Sequence, residues 1–197
     1  MVQEKKNENS ILILTIFLLF TGCTFKQQRI DINHYSIDFK TQKISQNAKL
    51  SSIFIEEPNV NRSFNLTSIY YNTKPYLFEE YAKNKWINLP SNMIYNQLID
   101  SFIASNIFSN VISKDSKIEH KYTLKTDIIK LYHEFKEDKS YAILKIKFDL
   151  IEDKKIIKTI SFDKNVLCET NDAYGFVKAL NKGLEESTNS LLTIISI

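Results

Sequence analysis

Glycine is nearly absent from this chain, with three residues in 197. They are Gly22, Gly175 and Gly183, too scattered to build a phosphate-cradling loop, a Walker motif or a G-x-S-x-G elbow. Nucleotide hydrolysis by this polypeptide is therefore not expected. Proline is equally scarce at three, and together these shortages argue against a loop-rich or repeat-built chain. There are two cysteines, too few for a disulfide framework. Histidines are also three, His34, His120 and His133, and none has a second ligand at helical or H-x-H spacing. Each reads as a surface or strand-end histidine, and no metal or cofactor site is expected. Glu56-Glu57 and Glu79-Glu80 are adjacent rather than convergent, and read as solvated charges. The 26 Lys and Arg against 23 Asp and Glu are spread without a basic block, which is not a nucleic-acid footprint. The chain reads as a protein that is not an enzyme.

What is present begins with ILILTIFLLFTGC, residues 11–23. The leader before it carries Lys5 and Lys6, diluted by Glu4 and Glu8, and the apolar core runs from Ile11 to Phe20. That core is about half of the ~20 residues a membrane-spanning helix needs, so it reads as a secretory signal. Cys23 directly after Thr21-Gly22 resembles the lipobox of bacterial lipoproteins, although Phe20 stands where Leu is usual. The resemblance implies cleavage before Cys23 and lipid on its sulfur and new amino group. More than one acyl chain gives stable anchoring. Residues 1–22 are thus expected to be a signal peptide, 23–34 a lipidated tether and 35–197 one domain. With Cys23 acylated, Cys168 has no partner and reads as a small core residue.

Hydrophobic content of 43% and charged content of 25% suit a folded domain. Alternation predicts strands over Tyr35–Phe39 and Leu50–Ile55. Leu66–Tyr71 and Tyr76–Tyr81 flank Asn72-Thr-Lys-Pro75 and predict a hairpin. Pro90 with Ser91 as cap predicts a helix start, continued by Ile94, Leu98 and Phe102, and ending near Ser105-Asn106. Ile107–Ile112 follows as a short strand. Tyr122–Phe135, Tyr141–Leu150 and Ile156–Val166, separated by charged turns, predict an antiparallel meander with one wet face. Asn171 and Asp172 cap a last helix with the stripe Phe176, Leu180, Leu184, Leu191 and Ile195. Gly183 on that helix is expected to permit close packing on the sheet, at up to ~1 kcal/mol relative to Ala. The fold class is α+β: a mostly antiparallel sheet with two amphipathic helices packed on one face.

The order of these elements resembles the ABC-type transport auxiliary lipoproteins, the paraquat-inducible protein C type that accompanies MCE-domain lipid transporters. The likeness runs from Tyr35 to about Thr193. It rests on HYSIDF after the tether, on LSSIFIEEP before an aromatic hairpin, and on KPYLFEEYAKNKWINLPSNMIYNQLIDSFIASNIFSNVI. In the last piece Tyr76, Phe78 and Tyr81 precede Trp86, Pro90, the helix and the Asn106-Ile107-Phe108 step. Family members often carry Gly where Asn106 stands, and Asn tolerates the same left-handed backbone. The terminal helix AYGFVKALNKGLEESTNSLLTII also fits.

The resemblance implies an accessory of an ABC machine that moves lipids or other hydrophobic molecules between inner and outer membranes. Its partners would be an MCE-domain protein and the permease and ATPase of the same system, with a homo-oligomeric ring as a possible assembly. Thr24 after Cys23, where many inner-membrane lipoproteins carry aspartate, favours the outer membrane facing the periplasm, with the inner membrane not excluded. The alternative is a structural or assembly lipoprotein of the outer membrane, of the secretion or lipopolysaccharide-assembly kind. Tyr70, Tyr71, Tyr76, Phe78, Tyr81 and Trp86 form the one candidate surface. Such aromatic density suits partner or lipid contact, and it equally suits a hairpin packing its own aromatics on the sheet.

Overall fold

The structure, a computed structural model, describes residues 31–45, 50–113 and 117–196. The expected signal peptide, the Cys23 lipidation site and most of the tether lie outside the described residues. Among the described residues no helix is long and apolar enough to cross a membrane. From Ile32 onward the chain is one compact unit.

The backbone of the fold is the expected meander, made of β7 (Tyr122–Lys136), β8 (Lys139–Glu152) and β9 (Lys155–Leu167). β8 pairs antiparallel with both neighbours along nearly its whole length. The free edge of β7 is then tiled by three shorter strands, all running parallel to it. β2 (Leu50–Ile55) pairs at Tyr122–Leu124, β3 (Asn59–Val60) at Asp127–Ile128, and β4 (Ser68–Lys74) at His133–Glu134. β6 (Phe108–Ile112) extends the sheet beyond β2 in parallel. β5 (Leu77–Trp86) folds back antiparallel on β4, and β1 (Asn33–Tyr35) lies parallel beyond β5. The fold is α+β as expected, but its sheet is mixed: the long pairings are antiparallel and the short tiling ones are parallel. Sequence patterns report which strands exist, whereas pairing direction depends on how the chain crosses between them.

Helix α1 (Pro90–Ser105) and helix α2 (Ala173–Ile195) pack against one another and against the sheet. Phe176, Leu180, Leu184, Leu191 and Ile195 are all buried, so the predicted stripe is the packing face. Gly183 lets this helix approach: a Cβ there would stand 3.2 Å from Val166 Cγ2 and 3.5 Å from Leu144 Cδ2. Asp172 caps α2 by accepting from the Gly175 N–H at 2.7 Å. That interaction, with a second hydrogen bond from Thr170, holds the Asp172 carboxyl below its ordinary pKa.

Three local expectations are corrected. The first strand is Asn33–Tyr35, beginning inside the expected tether and ending at Tyr35, and the segment to Phe39 does not continue as a strand. Its alternation is real, since Ile37 and Phe39 are buried. However, the Asp38 N–H donates to Asn181 Oδ1 on α2 and the Phe39 N–H to Gln97 Oε1 on α1. The segment lies extended over the helices, with side chains taking the hydrogen bonds a neighbouring strand would have taken. Second, Ser91 does not cap α1. Leu89 holds the cap position without a side-chain bond, Pro90 opens the helix, and the Ser91 N–H is satisfied by Asn65 Oδ1 from the preceding loop. Third, His133 is completely buried rather than at the surface. A bulge at Ile129 breaks the β7–β8 register between Ile128 and Lys130. Before it the even residues Tyr122, Leu124 and Ile128 face the core, and after it Leu131 and His133 do. One extra residue inverts every side chain that follows.

The shortage of glycine shows in the turns. Among the described residues no glycine has a positive φ, and the left-handed positions fall to Tyr76, Asn106, Glu137, Asp153 and Lys154. Asp153 and Lys154 together make the two-residue turn between β8 and β9, a geometry that ordinarily favours Asn-Gly.

Candidate functional site

The aromatic hairpin β4–β5 does not form one surface. It is divided along its length into a buried base, a half-buried middle and an exposed tip. At the base Trp86 is 2% exposed, with its ring 6.0 Å from Phe176 of α2. Trp86 therefore belongs to the core and offers no docking surface.

In the middle, Tyr71 and Tyr81 are half-buried with ring centroids 4.7 Å apart. Tyr70 is also half-buried and packs against the core. The Tyr81 hydroxyl lies 2.7 Å from His133 Nδ1, and His133 Nε2 lies 3.7 Å from Cys168 Sγ. The imidazole is further enclosed by Phe135 at 4.4 Å and stacks on Phe176 at 5.2 Å. Burial pulls the His133 pKa down to about 4, against a weaker opposing pull from Asp172. Burial pushes both the Cys168 thiol and the Tyr81 hydroxyl upward. All three groups are thus neutral at pH 7. Either tautomer fits: Tyr81 donates to Nδ1 while Nε2–H points at sulfur, or the thiol points at Nε2 while Nδ1–H donates to Tyr81. A reactive cysteine requires a thiolate beside a cationic partner and access to solvent, and Cys168 has neither. As expected from its sequence setting, Cys168 is a core residue.

The tip is different in kind. Tyr76 is fully exposed at φ 69°, a left-handed backbone that a bulky side chain rarely adopts. Leu77 and Phe78 beside it are also exposed. The Phe78 ring packs edge-on against Tyr132 at 5.0 Å and against Phe64 at 5.8 Å. Phe64 and Tyr132 stack at 5.6 Å. Tyr132 reaches this group because the Ile129 bulge turns it to the face opposite His133. An open groove of about 770 Å³ runs between the tip and the β7–β8 turn, with Tyr76, Phe78, Tyr132 and Phe135 among its walls. Lys74 and Lys130 line it as well, and neither ammonium has an ion-pair partner among the described residues.

The sequence reading thus located Tyr76 and Phe78 but missed Phe64, Tyr132 and His133. Phe64 falls in a segment that reads as linker. Tyr132 and His133 were hidden by the bulge, for which no glycine or proline marks the place. Among the described residues no cluster of three or more His, Cys, Asp or Glu could hold a metal ion.

No family model matches this chain, and no curated protein sequence matches it. Solved structures do. The chain is similar to a DUF330-family protein from Xanthomonas campestris at 15% identity, covering 83% of this chain and 96% of that one, with a TM-score of 0.73. It is also similar to a second solved structure, of an uncharacterized protein, at 12% identity over 84% of this chain and 99% of that one, with a TM-score of 0.66. At these identities the likeness is one of fold.

Proposed function

We propose that this chain is a lipid-anchored auxiliary component of an MCE-type ABC transport system, acting by docking and not by chemistry. In this reading Cys23 carries the lipid, and the domain faces the periplasm from the outer membrane. It meets an MCE-domain protein and the permease and ATPase of the same system. The observation that carries the reading is the order of elements behind the Thr21-Gly22-Cys23 junction: aromatic hairpin, proline-led helix, short strand, meander and terminal helix. The hairpin tip supplies the contact. Tyr76 is fully exposed beside the exposed Leu77 and Phe78, and aromatic surface of this kind is enriched at contacts between proteins.

Two measurements test this. Cys23→Ser should abolish incorporation of labelled palmitate and release the domain from membranes; retained label would end the anchor reading. A photo-crosslinking residue at Tyr76 should capture an MCE-system subunit in cells, whereas one at the solvent-exposed Asn165 should not. Capture of secretion or lipopolysaccharide-assembly components instead would transfer the reading to an assembly lipoprotein.

A further inference from the structure

Asn72 lines the groove beside the hairpin tip, although it is only 7% exposed. The parallel register of β4 on β7 sets it beside Glu134, on the sheet face opposite Tyr71 and His133. Among the described residues its carboxamide has no hydrogen-bond partner. A polar side chain this deep ordinarily has one. The charges around it are uneven. Glu134 is held by Lys136 at 2.6 Å and is already neutralised. Lys74 and Lys130 keep free ammoniums, and against them the lining sets a single further carboxylate, Glu137 at the β7–β8 turn.

We infer that this groove binds an extended acidic segment of the protein that docks on the hairpin tip. It rests on the docking role proposed for the tip, whichever machine supplies the partner. Each part of the groove meets a different part of such a segment. In an extended residue the N–H and C=O point to the same side, so one carboxamide can accept from the first while donating to the second. Asn72 is placed to read backbone in this way. Lys74 and Lys130 pair with carboxylates of the segment. The edge-packed Phe78 and Tyr132 offer an aromatic wall to an apolar side chain beside them.

Size and chemistry both favour a peptide. From Lys130 to Lys136 the β7 wall runs about 20 Å, the length of about six extended residues. The groove is open along one side, which suits a chain that enters and leaves. An anionic lipid headgroup fits less well. Its phosphate would satisfy both lysines, but phosphate oxygens only accept, and the deep Asn72 carbonyl would be left without a donor. A basic segment would meet two unpaired ammoniums, and like charges brought together are destabilising.

The test pans the full lipidated chain, in nonionic detergent, against phage displaying random heptapeptides. Enriched peptides should combine Asp or Glu with an aromatic or aliphatic residue. Fluorescence anisotropy of one such peptide should show an affinity that falls as salt rises. Lys74→Glu with Lys130→Glu should weaken it by about tenfold or more. Lys125→Glu with Lys154→Glu, an equal charge change at exposed lysines outside the groove, should leave it within about twofold. Asn72→Leu should weaken the acidic peptide and its Asn/Gln analogue alike, by about tenfold, because it removes backbone hydrogen bonds. Circular dichroism of each variant should match the parent, and the exposed lysine pairs decide the matter if Asn72→Leu does not fold. Enrichment without acidic residues overturns the proposal, as does equal loss in the two lysine pairs. Displacement of the peptide by dihexanoyl phosphatidylglycerol would also overturn it and give the groove to a lipid. Failure of the peptides while a crosslinker at Tyr76 still captures a transporter subunit would remove the groove and leave the docking reading standing. Acidic enrichment with capture of assembly components instead would keep the groove and end the transporter reading.

Discussion

Trp86 and Tyr76 stand at opposite ends of one hairpin, and their exposures are 2% and 100%. Both are large aromatics in the same aromatic-rich stretch, and nothing in their immediate neighbours separates them. At the base, Trp86 is enclosed by α2 and its indole helps to join helix to sheet. At the tip, Tyr76 touches no core, and the backbone beneath it adopts a conformation better suited to Asn or Gly. Between them, Tyr81 reaches down to a buried imidazole. The same residue type therefore serves stability at one end and is available for recognition at the other. The difference is made by what the rest of the chain lays over the hairpin.

The largest test of that contrast is at the base. Trp86→Ala should cost about 3–5 kcal/mol of stability, the usual range for deleting a buried aromatic. Urea unfolding should show a lower midpoint at unchanged slope. A loss under about 1 kcal/mol, within the range of surface substitutions and small effects, would mean the base is not core.

The middle of the hairpin should respond to pH. His133 is neutral and buried, with its folded pKa at about 4 against an unfolded value near 6.5. Between these values the unfolded chain binds a proton that the folded one does not, so stability falls as pH falls. The full effect is about 3 kcal/mol, lost between about pH 6.5 and 4. The depressed carboxyls act lower down. Burial raises Asp127 and Asp149, but hydrogen bonds from Asn59 and Lys147 to Asp127, and from Thr159 and Lys147 to Asp149, more than offset it. Their stabilisation is present above the ordinary carboxylate pKa and is lost as pH falls through their folded values. His133→Gln should lower stability at pH 7 yet flatten the slope between pH 6.5 and 4. An unchanged slope would remove the histidine from this account.

At the tip the sign should reverse. Tyr76→Asn relieves the left-handed backbone and should stabilise the domain by about 0.5–1 kcal/mol, read by thermal unfolding. With the photo-crosslinking residue moved to the exposed Leu77, the same change should abolish capture of the partner if the docking proposal holds. Destabilisation by Tyr76→Asn would make the tip structural after all. The smallest effect belongs away from both ends, on α2. Gly183→Ala gains up to about 1 kcal/mol of helix propensity but presses a methyl toward Val166, so its net change should stay within about 0.5 kcal/mol.

Much of the fold was legible before the structure. The meander strands, the hairpin, both helices and the stripe on α2 all follow from periodicity, because burying one face imposes its period on the residues. Gly183 was legible as a contact point for the same reason, since little else justifies glycine in mid-helix. The candidate site was legible only as a list of aromatics. Its partition depends on the parallel pairing of Tyr71 with His133 and on the Ile129 bulge that sends His133 inward and Tyr132 outward.

By itself the sequence determined element identity, the α+β class, the absence of a glycine-built phosphate site, and the junction at Cys23 from which an anchor is expected. These are local properties, written in spacing and residue type. Tertiary structure decided which aromatics are core, which are surface, that the sheet is mixed, and that Asn72 shares a groove with Lys74 and Lys130. Those outcomes arise from contacts between residues far apart in the chain, and a single inserted residue in β7 was enough to exchange the faces of Tyr132 and His133.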